Sequence, residues 1–201
     1  MSLPSQSVDE LTCRSWLKIE DKVIVIKDGS KNEYNKILIK IKEAKVLETS
    51  LTKDMDYLMH NVLDTWITDF NLKNQLSHRI KAHIFKNTIK AFNMEVENVI
   101  EKLNEANNIV DNALIDDKSK STLKDIQLDI DFAIIDLETI KEKMKEKSQV
   151  IESLVSSNQY NSCLVKNLQE CNDIVYEMMS HKLVLEIIGK SSKKVIALML
   201  S

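Results

Sequence analysis

The chain of 201 residues contains two glycines and one proline, and none of the three lies between Ser30 and Ile188. Tight turns in β-rich and nucleotide-binding α/β domains recruit glycine, because φ > 0 is costly for a residue with a Cβ. Their absence over this length argues against both classes and predicts long helices. Aromatic residues are also scarce, at 5%. Large rings supply much of the buried area of a compact core, so a thin helical bundle fits better than a sphere. An excess of one charge is missing as well: 28 basic residues oppose 31 acidic ones, a net of −3. That balance gives no general attraction to nucleic acid or to an anionic membrane. No apolar run approaches the roughly 20 residues that span a bilayer. With 43% hydrophobic and 29% charged residues, the chain has the composition of an ordered soluble protein.

Cysteine use points to a reducing compartment. Cys13, Cys163 and Cys171 make an odd count, and the polar opening with Asp9 and Glu10 does not read as a signal peptide. An intracellular protein, cytoplasmic or nuclear, is expected. On one helix Cys163 and Cys171 lie about 12 Å apart along the axis, too far to bridge, so the pair is expected to pack in the interior. An interchain or redox role is the alternative.

Pattern divides the chain into segments. Residues 1–33 form an N-terminal arm with Pro4 and the turn signal Asp28-Gly29. Within it Trp16, Leu17 and Ile19 suit a short amphipathic helix. The β-branched run from Lys22 to Lys27 would suit a strand if Lys36 to Ile41 paired with it. Those later residues also carry a helical period through Tyr34, Ile37, Ile41, Ala44, Leu47, Leu51, Met55, Leu58, Val62 and Trp66, which favours a helix over about 34–70. The helical region 34–115 continues into a heptad helix over 76–114, where Phe85, Ile89, Phe92, Val96, Val99, Leu103, Ala106, Val110 and Ala113 recur at steps of four and three. A polar turn over 116–122 follows, with Ser119, Ser121 and Thr122 as candidate N-caps.

A second seam predicts one long coiled-coil helix over 123–180. Its rows run from Leu123 and Ile126 to Asn172 and Val175, interrupted at Lys147, Asn158, Asn161 and Asn172. Asn158 and Asn161 together read as a polar layer that sets register. Beyond them the apolar face widens, and Leu164, Val165, Leu168, Val175 and Met179 are expected to centre a partner-binding surface. The basic amphipathic segment 181–201, with Lys182, Lys190, Lys193 and Lys194, would dock a helix or touch a membrane surface.

Residues suited to chemistry do not assemble into a reactive pattern. Gly189-Lys190-Ser191 resembles the end of a phosphate loop, yet Val184 stands where that loop needs its first glycine. His60, His78, His83 and His181 are scattered without metal-ligand spacing. Asp125, Asp129, Asp131, Asp136 and Glu138 interleave with the seam and read as solvated flanks. No catalytic residue, metal ligand or cofactor site is therefore assigned.

The segment Phe85 to Val110, with Asn98-Val-Ile-Glu-Lys-Leu-Asn-Glu105 and the pair Ile109-Val110, resembles a helix of the small coiled-coil subunits of the kinetochore MIND complex. That resemblance implies a rod-like structural subunit linking chromatin to microtubule-binding complexes, without catalysis or cofactor. The expected fold is all-α: an elongated antiparallel helical hairpin or coiled coil with an additional N-terminal helix packed alongside. The expected function is a non-catalytic scaffold subunit with other helical proteins as partners. A peripheral membrane or vesicle-tethering module is the alternative.

Overall fold

The computed structural model describes residues 29–70, 74–113, 120–181 and 183–200. The fold is all-α, with no strand among the described residues. Helix α1 (Gly29–Tyr57) passes into a π-helical segment, π1 (Leu58–Asp64), and a last turn, α2 (Thr65–Thr68). Then come α3 (Gln75–Ala113), α4 (Lys120–Ser156), α5 (Ser162–His181) and α6 (Leu183–Leu200). Residues 36–41 lie inside α1, which resolves the helix-or-strand question in favour of helix there. Residues 22–27 and most of the polar turn 116–122 lie outside the described residues.

These elements make four rods. α1 with π1 and α2 is the first, α3 and α4 are the second and third, and α5 with α6 is the fourth. α3 alone has 39 residues, about 58 Å at 1.5 Å per residue. Polar ladders fix the directions. Lys40 pairs with Glu105 at 2.7 Å and Lys81 with Asp69 at 3.3 Å, so the first and second rods are antiparallel. Lys86 meets Glu152 at 2.8 Å and Gln127 donates to Asp111 at 2.6 Å, so the second and third are too. The fourth rod runs back along the third, through Lys147–Glu170 low down and Lys194–Asp129 at 2.6 Å higher up. It also packs on the first rod, which closes the bundle.

The core follows the seams read from the sequence. Ile37, Ile41, Leu51 and Leu58 on the first rod, the Phe85–Val110 series on the second and Leu123 to Ile151 on the third are buried together. Each fully buried aliphatic side chain contributes roughly 2 kcal/mol. The sequence pattern does not announce π1. There Leu58, Met59, Val62 and Leu63 are all buried, two adjacent pairs where an α-helical stripe would turn one of each pair outward. The wider i→i+5 turn presents a broader apolar face, and π1 packs against both α3 and α5. Thr65 Oγ1 caps the segment by donating to the His60 carbonyl at 3.2 Å.

At the end of the bundle where α2 meets α3, an aromatic knot ties three rods. Trp66 Nε1 donates to His78 Nδ1 at 3.0 Å, both groups buried. Indole N–H can only donate, so Nδ1 is the unprotonated nitrogen of the ring. The His78 ring stacks on Tyr160 with centroids 4.7 Å apart and leans on Phe70 at 4.6 Å, while Trp66 meets Phe85 edge-on.

One buried group has no such partner. Glu48 on α1 is buried and its Oε2 accepts no hydrogen bond from the described residues. Burial pushes its carboxyl up to about 8, against a small opposing pull from Lys45. The folded state thus holds a proton that the unfolded chain releases near the ordinary value of 4.5. Stability from this group is complete below that value, falls as pH rises towards about 8, and is flat above it. Chemical denaturation across this range should show that slope. Glu48→Gln should flatten it and stabilise the protein above the upper limit by up to about 5 kcal/mol; an unchanged slope would remove Glu48 as its cause.

Candidate interaction surfaces

The residues that sequence pattern assigned to a partner-binding face lie mostly inside the protein. Leu164, Leu168 and Val175 are fully or almost fully buried in the chain's own core, and Val165 and Met179 are half-buried. The expectation of an exposed apolar face centred on them is corrected. The reason is a chain reversal within the segment read as one helix over 123–180. α4 stops at Ser156 and α5 begins at Ser162, folded back against it.

Asn158 and Asn161 build that reversal and are exposed, so their expected role as a buried register layer is corrected as well. Asn158 has φ 54°, in the left-handed region that asparagine tolerates better than most residues. Gln159 N donates to Leu154 O at 2.8 Å and Asn158 N to Val155 O at 3.1 Å. This paired pattern is the Schellman motif, which satisfies the last carbonyls of a helix. Asn161 Oδ1 then accepts from Cys163 N at 3.0 Å and caps α5. Arg79 of α3 bonds the Asn158 side chain at 3.1 Å, and buried Tyr160 packs on His78. Both asparagines turn the chain rather than pair within a seam.

Lys147, the charge within the seam, faces the returning α5. It pairs with Glu170, a bond that raises the lysine and lowers the carboxylate from their ordinary values. Asn172 donates to Asp64 of π1 at 3.0 Å. Both interruptions of the seam mark contacts with a neighbouring rod. The cysteine expectation holds for one residue of two: Cys171 is buried and its thiol is pushed up to about 12, whereas Cys163 is exposed. The tail segment expected to dock elsewhere forms α6, and Val195 and Met199 are covered by the bundle itself. Among the described residues no cluster of three potential metal ligands occurs, and no helix is long and apolar enough to cross a membrane.

What the core leaves outside is then informative. On α4, Leu128, Phe132 and Ile135 are 54%, 59% and 55% exposed. Their spacing of four and three places them along one outer face. Asp125, Asp136, Glu138 and Glu142 border this stripe. On α3, Leu76 and Ile80 are 69% and 53% exposed, with Ile84 and Met94 also outward, among Arg79, Lys86 and Lys90. The acids were legible as solvated flanks of a seam, but the apolar residues between them could be recognised as outward only once the inner face was known.

No protein-family model, curated protein or solved structure matches the chain.

Two substitutions test the reassignment. Leu168→Asp should cost more than about 3 kcal/mol and lower the melting temperature steeply, as a charge placed in a closed core must. A folded Leu168→Asp protein with unchanged stability would return this residue to an exposed surface. Asn158→Val should destabilise by about 1–2 kcal/mol because a β-branched residue resists φ > 0, whereas Asn158→Gly should be nearly neutral. Equal losses for both would deny the left-handed turn its role.

Proposed function

We propose that the chain is a non-catalytic structural subunit of a multi-protein helical assembly. The observation that carries this reading is the surplus of apolar side chains on outer faces of a bundle whose seams are already filled from within. Leu128, Phe132 and Ile135 on α4, with Leu76, Ile80 and Ile84 on α3, lie outside the buried core and leave much of their apolar surface in water. Contiguous apolar faces bordered by charge are surfaces that proteins use to hold one another. A rod of this length offers such faces at separate levels along its axis and so can space its partners. Service in chromosome segregation, at a kinetochore or spindle, is the narrower form of the proposal, and it rests on the resemblance over Phe85 to Val110.

The test is the size of the particle that carries the endogenous chain. Native extracts separated by velocity sedimentation should place it well above the mass of two copies, with other chains in fixed ratio through a second separation. Ile80→Ser and Phe132→Ser in the full chain should each release at least one of those partners while helix content by circular dichroism is kept. Recovery of the chain alone, at the mass of a single copy, would overturn the reading.

A further inference from the structure

We propose that two copies of this chain pair antiparallel, the acidic apolar face of α4 on one seating against the basic apolar face of α3 on the other. The inference rests on the assembly reading above and names one partner of these faces as a second copy.

Charge divides the two stripes. From Gln75 to Met94, α3 carries Arg79, Lys81, Lys86 and Lys90 and no acid. From Asp125 to Ile140, α4 carries five acids and no lysine or arginine. Part of this charge is used internally: Lys81 pairs with Asp69, Lys86 with Glu152 and Asp129 with Lys194. The remainder is in excess. Asp125, Asp136 and Glu138 have no ion-pair partner among the described residues, and neither does Lys90. Among the described residues Arg79 bonds only the neutral side chain of Asn158, so none of them compensates its charge. An apolar stripe with excess negative charge and another with excess positive charge are complementary in both respects.

Within one chain the two cannot meet. Asn107 donates to Asp131, which sets the α4 stripe beside the far half of α3. From Ile80 to Asn107 the distance along the axis is about 40 Å at 1.5 Å per residue. The basic stripe from Leu76 to Met94 and the acidic one from Asp125 to Thr139 are each roughly 20–27 Å long, so one covers the other. When two copies lie antiparallel about a twofold axis midway between these levels, the basic end of each faces the acidic end of its mate. Both contacts form together, and the pairing closes at two. An anionic lipid surface is a poorer occupant, since the acids beside Phe132 would be repelled by it.

Sedimentation equilibrium of the purified full chain over a concentration series tests this. The wild type should show a monomer–dimer equilibrium that weakens at high salt. Ile80→Ser and Phe132→Ser should each weaken the dimer by about tenfold or more with helix content retained. Lys90→Glu and Asp136→Lys should each weaken it alone, and an equal mixture of these two variants should restore it, because one mixed contact is reversed in both signs and the other is native. A chain that stays monomeric throughout overturns the inference. So does a dimer indifferent to both serine variants, a mixture that fails to restore association, or a dimer that vanishes only when residues 1–28 are removed. A monomeric purified chain that still travels in a large particle in native extract overturns this inference alone. A purified dimer from a chain found without other subunits in native extract overturns the multi-protein reading alone.

Discussion

The reversal at Asn158 is the constraint on which the rest of the bundle depends. A left-handed residue ends α4, the next peptide groups close the Schellman pair, and Asn161 starts α5 within a few residues. Without that turn, the apolar residues of the fourth rod would extend past the end of the third with nothing to cover them. With it, Leu164, Leu168, Cys171 and Val175 come back over the third and first rods and the core is enclosed. Asn158 stores a modest local strain, offset by the burial of a whole rod. Arg79 and Tyr160 hold the turn against α3, so the reversal is also locked from outside.

Two different treatments of buried polarity accompany this closure. At the Trp66–His78 bond a donor and an acceptor are matched, and the flat ring of Tyr160 covers them. Matched partners of this kind specify a unique arrangement of the rods that aliphatic packing alone would leave degenerate. Glu48 is the opposite case: its Oε2 has no partner among the described residues, and burial favours the neutral form of its carboxyl. Nearer the surface, Glu105 is gripped by both Lys40 and Lys102, and the two hydrogen bonds hold its carboxyl below the ordinary value. Such exposed pairs guide alignment between rods more than they add stability.

Closing the core moves the functional question to the outside. An apolar face that a rod turns towards its own neighbours cannot also receive a partner, so the fourth rod loses its candidacy. The outer faces of α3 and α4 take its place. Their charge segregation has a physical consequence for assembly: opposite signs at opposite levels favour antiparallel encounter and disfavour parallel stacking, in which like would meet like.

Much of the local structure was legible from residue order. The scarcity of glycine and proline pointed to helices, and the heptad steps from Phe85 to Val110 marked the inner face of α3. The misreadings share one cause. A heptad row continues through a turn if the turn residues happen to occupy the right positions, and Asn158 and Asn161 do. Periodicity registers the spacing of residues along the chain but not the sign of φ at one of them. By contrast, the seam through Ile126, Ile130, Ala133 and Leu137 was legible as the inner face, while Leu128, Phe132 and Ile135 on the opposite face were not singled out, because the periodicity of one face says nothing of apolar residues on another. The sequence by itself determined that this protein is built of long amphipathic helices, because that follows from local sterics and spacing. Only the tertiary structure decided which apolar faces are spent on the core and which are left over, because burial depends on the other rods that lie against each face.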